Sequence, residues 1–322
     1  MKLEPIQKEI TLRSQISAKS SQTLLEFLVS KFKYLNAAEW EERIASGKVK
    51  VNDRTASPGQ PLRAGDEVAY TTNSWEEPEV NAHYRVVYED SSLFLVSKAA
   101  PLPVYAIGAY FRNTLTHLIR GDRPEAQNYQ MVHRLDSETS GLILFVKDKS
   151  LVAPFQKQWE GGVRKAYQAI VFGNFSADQH RLEAPIAPIK GGPIRMKSGV
   201  DWQRGKPAVT EFELLETRGG FSLLEARILT GRTHQIRVHL EHLGYPIVGD
   251  KLYSGDDETF LHFYENDWDD WLKERVILPR AALHACRLEF THVKTGEHMV
   301  FEDPLPKDLL DFWNNIPKSD CV

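Results

Sequence analysis

Asp136 has the sequence surroundings that most favour catalysis in this chain. It lies where a polar, turn-rich run meets an apolar run of strand character, residues 142–146. His133 and Arg134 precede it, and three hydroxyl side chains follow it within four residues. A nearby cation favours the charged form of a carboxyl group, and an ionised, positioned carboxylate can act as a nucleophile. The pattern therefore indicates a candidate active site.

Arg237 is a second cation that could reach Asp136. The run 233–244 predicts a helix with Thr233 as its N-cap and Gly244 as its C-terminal stop, because Ile236, Leu240 and Leu243 recur at helical spacing. Arg237 lies one position off this apolar stripe, so its head could meet a partner at the edge of the core. Spacing alone leaves open whether the carboxylate and an arginine form a catalytic site or a structural ion pair.

The elements that would position these residues fall into two predicted domains. A length of 322 residues exceeds the usual size of one domain. We expect an extended arm over residues 1–13, a small domain over 14–72 whose first helix has Ser21 as its N-cap, and a linker over 73–83. Residues 84–316 alternate short strands with helices, which predicts an α+β catalytic domain with a mixed, largely antiparallel sheet.

Composition restricts the class of protein. Two cysteines make a disulfide framework or a cysteine-ligated zinc site improbable, which favours the cytoplasm. No export signal and no apolar run long enough to span a bilayer is evident, so we expect no membrane partner. The sequence also lacks a P-loop or dinucleotide fingerprint, and we expect no nucleotide cofactor.

Charge is unevenly distributed along a chain whose net charge is −4. Residues 254–275 hold eight acidic residues against two basic ones. The basic segment, residues 190–206, holds Lys190, Arg195, Lys197 and two further cations against one aspartate. Because cationic clusters contact phosphate in nucleic acids, the basic segment is a candidate RNA-binding surface.

The first domain resembles the small RNA-binding domain named after protein four of the small ribosomal subunit. The resemblance rests on the runs 24–28, 44–53 and 62–68, which contain Gly-x-Val-x-Val-Asn and Gly-Asp. It implies RNA binding through a helical face and a turn. The candidate phosphate contacts are Lys31, Lys33, Lys48, Lys50 and Arg54. Surface lysines usually contact only water, so a solvated face is the alternative.

The second domain resembles the RluA family of RNA pseudouridine synthases. Residues 133–144 match its signature, His-Arg-Leu-Asp-x-x-Thr-Ser-Gly-Leu-x-Leu. Three further blocks follow in the family's order, namely Lys165-x-Tyr167, residues 231–250 and residues 283–285, so that the resemblance covers about residues 84–306. Residues 98–103 depart from the family, which usually has proline after the lysine and glycine two residues later.

The resemblance implies a reaction and the roles of individual residues. Asp136 would attack the target uridine, whose base detaches, rotates and rejoins the sugar through carbon 5. Attack at the anomeric carbon and attack on the uracil ring both remain open. Tyr167 would pack against the base and assist proton transfer, Arg237 would pair with Asp136, and Arg134 would fill the space left by an extruded nucleotide. His133 and Lys165 would contact substrate.

The resemblance also implies partners. Relatives act on large-subunit ribosomal RNA and on transfer RNA. The expected substrate is therefore a structured RNA, either ribosomal or transfer RNA. Isomerisation changes neither redox state nor composition, so no cofactor is expected. We expect a monomer.

Three other functions compete with this interpretation. The pair His239-x-x-His242, with His234 nearby, could bind zinc, although no His-Glu-x-x-His string is present. A noncatalytic RNA-binding or ribosome-assembly factor would keep the first domain without needing Asp136. A hydrolase with an acid pair would use Glu138 beside Asp136.

Overall fold

The structure is a computed structural model and describes residues 10–16, 22–32, 35–72, 77–159 and 161–317. The chain divides into two compact units. Unit 1 comprises residues 1–79 and 107–111, and unit 2 comprises residues 80–106 and 112–322.

Unit 1 is a four-stranded antiparallel sheet with two helices, and its strand order is β1-β4-β2-β3. Its elements are β1 (Ile10–Gln15), α1 (Leu24–Lys31), α2 (Ala37–Ala45), β2 (Val49–Val51), β3 (Arg54–Thr55) and β4 (Glu67–Thr72). Both helices begin with a capping box, in which the N-cap side chain and the third helical residue satisfy each other's backbone amides. Trp40 is fully buried at the centre of the core.

Two sequence predictions for unit 1 need revision. The N-cap of α1 is Thr23, whose side chain accepts from the amide of Glu26, and the predicted cap Ser21 lies outside the described residues. Residues 10–13, for which the sequence predicts an extended arm, belong to β1 and pair with β4. An alternating strand of only six residues at the edge of a sheet gives a weak local signal, which is why its pairing was not predicted.

Unit 2 is built on a ten-stranded sheet with a separate two-stranded sheet. Its strands are β5 (Tyr84–Glu89), β6 (Leu93–Lys98), β7 (Gln130–Met131), β8 (Ser140–Val146), β9 (Arg164–Phe172), β10 (Gln179–Glu183), β11 (Ile186–Pro188), β12 (Ser198–Val200), β13 (Val209–Arg218), β14 (Phe221–Ile228), β15 (Leu283–Thr291) and β16 (His298–Glu302). Its helices are α3 (Leu115–Asp122), α4 (Val152–Trp159), α5 (Gln235–His242), α6 (Asp257–Asn266), α7 (Asp270–Val276) and α8 (Lys307–Asn315).

The large sheet has the order β10-β13-β14-β9-β15-β8-β6-β5, with β16 beside β15 and β7 beside β8. Strands β8 and β15 run parallel, and the other described pairs of this sheet are antiparallel. The predicted α+β class with a mixed, largely antiparallel sheet is confirmed. Every residue of β8 is buried, so the strand that follows Asp136 lies deep in the sheet.

Gly141 permits the close approach of β8 to β15. It faces Ala285 in the parallel pairing, and a Cβ atom on it would overlap the Ala285 carbonyl oxygen. Its φ of 110° is also unfavourable for L side chains. The Gly141 position therefore holds the run that carries Asp136 at the end of a fixed strand.

Helix α5 begins one residue later than predicted. Its N-cap is His234, in the left-handed conformation with φ 58° and ψ 21°, so the prediction of Thr233 is wrong. Gly244 has φ 83° and ends the helix as predicted. The acidic run 254–275 contains helices α6 and α7. Among the described helices, none has the length and apolar character needed to cross a membrane.

Candidate active site

A cleft of about 240 Å³ in unit 2 contains Asp136. Its walls come from the loop before β8, from the start of β9, and from the turn that leads into α5. Six of the residues that the sequence assigns to the site line this cleft: His133, Arg134, Asp136, Lys165, Tyr167 and Arg237. The fold thus brings together residues from three separate sequence blocks.

Asp136 and Arg237 form the central ion pair. Arg237 Nη1 donates to Asp136 Oδ2 at 2.9 Å, while its Nε and Nη2 donate to the two carboxylate oxygens of Asp250 at 2.6 and 2.8 Å. Burial alone would raise the pKa of the Asp136 carboxyl, but the charge and hydrogen bond of Arg237 outweigh burial and hold that pKa below its usual value. Asp136 is therefore ionised at neutral pH.

Asp250 fixes the arginine in place. Its side chain is completely buried, and its Oδ1 also accepts from the backbone amides of Leu252 and Tyr253. Burial would lower the pKa of Arg237, but the charge of Asp250 and its bidentate hydrogen bonds keep it well above the usual value. Asp250 thus neutralises the arginine from behind, and Arg237 presents Nη1 to Asp136.

His234 is the second group that faces the carboxylate. Its Nε2 lies 3.9 Å from Asp136 Oδ2, and its Nδ1 lies 2.9 Å from the Tyr253 hydroxyl. Burial, and to a smaller extent the charge of Arg237, lowers the pKa of His234 to about 4. The imidazole is therefore neutral near pH 7. On the side of Oδ2, the nucleophile candidate therefore meets the Arg237 guanidinium and a neutral ring.

Tyr167 forms part of the cleft wall from strand β9. Its side chain is 7% exposed. Burial raises the pKa of its hydroxyl above the usual value, and the charge of Asp136 raises it further. Tyr167 is consequently a protonated phenol that could contact a planar base or pass a proton.

Arg134 differs from Arg237 although both adjoin Asp136. Its side chain is exposed, and Nη1 donates to the hydroxyl of Tyr105 at 2.9 Å. Within the described residues this neutral hydrogen bond is the one recorded for its guanidinium, so little opposes movement of the side chain.

His133, Trp159 and Lys165 form one wall of the cleft. The His133 ring stacks on Trp159 with 5.1 Å between centroids, and Lys165 Nζ lies 4.5 Å from the Trp159 ring centre. His133 Nε2 accepts from the amide of Leu144 at 3.0 Å, which ties this wall to β8. Burial lowers the pKa of Lys165 to about 8. Burial together with the charge of Lys165 lowers the pKa of His133 to about 3.

Lys98 and Glu138 hold the loop that carries Asp136. Lys98 Nζ donates to the carbonyl oxygens of Ala99, Leu102 and Ser137 at 3.0, 2.8 and 3.1 Å. Burial lowers the pKa of Lys98 to about 7, yet three acceptors use all three protons of an ammonium group, which favours the charged form. The departure from the family at residues 98–103 thus lies in a stretch that supports this loop.

Glu138 does not form an acid pair with Asp136. Its Oε1 lies 2.7 Å from Lys251 Nζ, and its Oε2 accepts from the amide of Ala281 at 3.0 Å. These contacts direct the carboxylate to a structural ion pair. The carboxylate that shares an arginine with Asp136 is instead Asp250, whose oxygens are occupied. The acid-pair hydrolase is therefore not supported.

His239, the central residue of the proposed zinc site, has no ring nitrogen available to bind a metal ion. Both ring nitrogens of buried His239 are hydrogen-bonded, Nδ1 to the hydroxyl of Thr210 and Nε2 to the carbonyl oxygen of Ala184, at 2.8 and 2.9 Å. Among the described residues, no group of three or more His, Cys, Asp or Glu side chains is arranged to hold a metal ion.

The other predicted contact residues lie outside the cleft lining. Lys190 and Arg195 are exposed in the loop between β11 and β12, whereas Lys197 Nζ pairs with Asp257 at 2.7 Å. In unit 1, Lys48 is half-buried and Lys50 exposed. Lys33 lies outside the described residues.

The sequence analysis assigns no catalytic or RNA-binding role to His234, Asp250, Tyr253 or Trp159. His234 and Asp250 do lie in the block 231–250, so a search for polar residues in that block could have found them. Tyr253 and Trp159 lie outside every block, and only the fold shows that they support site residues.

Comparisons with known proteins show which family this chain is similar to. A family model described as RNA pseudouridylate synthase matches residues 92–242. "Ribosomal large subunit pseudouridine synthase D" of Neisseria meningitidis serogroup A is 35% identical over 280 residues, which cover 83% of this chain and 71% of the relative. "Ribosomal large subunit pseudouridine synthase C" of Escherichia coli is 32% identical over 305 residues, covering 90% and 91%.

Two further similarities extend the comparison. An uncharacterized RNA pseudouridine synthase of Bacillus subtilis is 30% identical over 312 residues, which cover 93% of this chain and 95% of the relative. Among solved structures, human RNA pseudouridylate synthase domain containing 1 superposes with a TM-score of 0.56 at 22% identity, covering 76% of this chain and 100% of that one. At that identity the superposition establishes a shared fold.

Proposed function

Because this chain belongs to the RNA pseudouridine synthase family and is therefore an isomerase that acts on RNA, we propose that Asp136 is the nucleophile of its reaction. The observation that carries the proposal is the geometry of the carboxylate: Arg237 keeps it ionised through Oδ2, in a cleft lined by aromatic and cationic side chains. An ionised carboxylate without its own proton is suited to attack carbon.

The reaction exchanges one glycosidic bond for another. Asp136 forms a bond to the uridine, either at the anomeric carbon or on the uracil ring, and the bond between N1 and the sugar breaks. After the base rotates, C5 bonds to the anomeric carbon and the bond to Asp136 breaks, which restores the carboxylate. The C5 proton is lost and N1 gains a proton, so no atom is added or removed.

Tyr167 and Arg134 have proposed roles around this step. Tyr167 packs against the detached base and assists proton transfer, because its buried phenol keeps its proton near the negative Asp136. Arg134 takes the place of the extruded nucleotide in the RNA, because its guanidinium is exposed and its hydrogen bond in the described part of the chain is to the neutral Tyr105 hydroxyl. His133 and Lys165 form the wall against which the nucleotide rests.

The substrate we propose is ribosomal RNA of the large subunit, in the cytoplasm. The names of the relatives from Neisseria and Escherichia carry this substrate, and both align over more than four-fifths of this chain. Transfer RNA is the second candidate. We further propose that residues 14–72 form an RNA-binding domain like that of protein four of the small ribosomal subunit, joined by residues 73–83 to a catalytic domain over 84–316.

The basic segment is the proposed phosphate-binding surface of the catalytic domain. Lys190 and Arg195 are exposed and make no ion pair with a described residue, so both charges are available to phosphate. Lys197 contributes less, because its ammonium is already paired with Asp257. In unit 1, Lys48 and Lys50 are the corresponding contacts.

Mapping pseudouridines in cellular RNA tests this function. Pseudouridines are mapped in ribosomal and transfer RNA from a strain that lacks the gene. The proposal expects specific pseudouridines to be missing from the large-subunit RNA. The wild-type gene should restore them, as should Asp148→Asn, a matched exposed change at a helix cap. The Asp136→Asn gene should not restore them. Restoration by that variant would refute the nucleophile, and loss confined to transfer RNA would refute the substrate.

A further inference from the structure

Tyr253 contacts both groups that face Asp136, although it does not line the cleft. Its hydroxyl lies 2.9 Å from His234 Nδ1, and its ring centre lies 4.9 Å from the Arg237 guanidinium carbon. The side chain is 3% exposed, so these contacts are shielded from water.

The hydroxyl of Tyr253 has a defined direction. It accepts a hydrogen bond from the Ser198 amide of strand β12 at 3.0 Å. Among the described residues, the other hydrogen-bond partner of this hydroxyl is His234 Nδ1. Because the single proton of a buried phenol needs an acceptor, the hydroxyl is assigned as the donor to Nδ1, which leaves the one proton of the neutral imidazole on Nε2.

This tautomer matters because of what Nε2 faces. Asp136 Oδ2 lies 3.9 Å away, beyond hydrogen-bond distance but close enough for a strong electrostatic interaction. An N–H group there attracts the carboxylate, whereas the opposite tautomer would direct a lone pair at it. The backbone of His234 is left-handed, and a non-glycine residue keeps that conformation only when its surroundings enforce it.

We propose that Tyr253 is a positioning residue for Asp136, which selects the His234 tautomer with Nε2–H toward the carboxylate and supports Arg237 from behind. His234 is the positioning residue through which it acts. With Arg237 and Nε2–H on the side of Oδ2, the carboxylate keeps Oδ1 for the substrate. The inference rests on the proposed nucleophilic role of Asp136.

Tyr253→Phe tests the hydroxyl while retaining the ring. We expect kcat to fall by about tenfold to a hundredfold with KM for RNA unchanged, because small misplacements of a reacting group have effects of that order. Tyr245→Phe is the matched control, since its ring packs on Phe175 away from the cleft lining, and its kinetics should be unchanged. An unaltered kcat in Tyr253→Phe would overturn the proposal.

Nitrogen-15 spectra of protein labelled at histidine provide a readout that does not depend on activity. The His234 signals, assigned by their absence in His234→Asn, should show a protonated Nε2 and an unprotonated Nδ1. In Tyr253→Phe, the two tautomers should mix. A protonated Nδ1 in the wild-type protein would contradict the proposed hydrogen-bond direction.

The His234→Asn variant also supplies a kinetic test, because asparagine tolerates the left-handed conformation better than most residues. Its kcat should fall at least as far as that of Tyr253→Phe. The double variant should be no slower than His234→Asn, since Tyr253 acts through His234. Multiplication of the two effects would show independent roles and overturn the proposal. If Asp136→Asn is inactive while both single variants match wild type, this inference alone fails; if Asp136→Asn is active, the proposed function fails.

Discussion

The candidate cleft around Asp136 and the basic segment both concentrate cations in an acidic protein, but they hold them differently. In the cleft, Arg237 bonds to two carboxylates and rests against an aromatic ring. In the basic segment, Lys190 and Arg195 are exposed and unpaired with any described residue. Arg237, which must be positioned before substrate binds, has protein partners. Lys190 and Arg195, which we propose bind phosphate, are exposed to solvent and can form ion pairs with RNA. Arg134 is intermediate, with one hydrogen bond from an exposed side chain.

Replacing Arg237 should have the largest effect of the cation variants. In Arg237→Gln we expect a loss of about 3–5 kcal/mol in the free energy of unfolding, because Asp250 becomes a buried charge without its cation. Denaturant unfolding measures this loss. Arg134→Gln is the matched control, and its stability should change by less than about 0.5 kcal/mol because the side chain is exposed. Equal losses of unfolding free energy in both variants would contradict the inference that Arg237 is held by protein partners more firmly than Arg134.

The same Arg237→Gln variant should change the pH dependence of catalysis. Arg237 lowers the pKa of Asp136, so removing it leaves burial to raise that pKa. As the pH falls, the carboxylate of the variant then becomes protonated at a higher pH than in the wild type. The acid limb of the kcat/KM profile should therefore shift to higher pH. A pH profile of the conversion rate at subsaturating concentrations, where the rate is proportional to kcat/KM, measures this shift. An unmoved acid limb would show that another group controls the ionisation.

Removal of Arg134 should reduce activity without destabilising the fold. We expect Arg134→Ala to lower kcat/KM by about tenfold on structured RNA, because the space vacated by the target nucleotide is no longer filled and base extrusion costs a few kcal/mol. The deficit should shrink on a short single-stranded substrate, where little stacking is lost. An equal deficit on both substrates would assign Arg134 to another step.

The basic segment should control the salt dependence of binding. Neutralising Lys190 and Arg195 should reduce the slope of log affinity against log salt by about 1.5, as expected for two lost phosphate contacts. The matched control is neutralisation of Lys294 and Lys307, exposed lysines outside the segment, which should leave the slope unchanged. The same slope in both double variants would remove the basic segment from the RNA interface.

The smallest effect should come from unit 1. Replacing Lys48 and Lys50 by glutamine should weaken RNA binding by a few-fold at most, because each single phosphate contact contributes little alone. Filter binding at low salt would detect the change. Unchanged binding would favour the solvated-face interpretation of these lysines.

Local sequence predicted much of the site but little of its support. Asp136, Tyr167 and Arg237 belong to motifs, and the apolar stripe of α5 already directed Arg237 toward the edge of the core. Partners such as Tyr253 depend on where the chain returns after Gly244, which no local period encodes. The parallel pairing of β8 with β15 joins residues about 140 positions apart, and a strand that is buried throughout gives no alternation from which to infer its neighbours.

Turn chemistry explains the errors at helix starts. Thr233 was the natural choice of N-cap for α5 because threonine is a good capping residue, yet His234 occupies that position in a left-handed conformation. Such backbones are uncommon for non-glycine residues and are found at functional sites, so the local rule failed beside Asp136.

A single-turnover assay of Asp136→Asn tests the central claim most directly. Enzyme in excess over a substrate RNA should bind that RNA as wild type does, because the substitution preserves the shape of the side chain. Pseudouridine formation should fall by at least about 10³-fold, as expected for loss of a nucleophile. Conversion within tenfold of the wild-type rate would contradict the account and require another residue to attack the uridine.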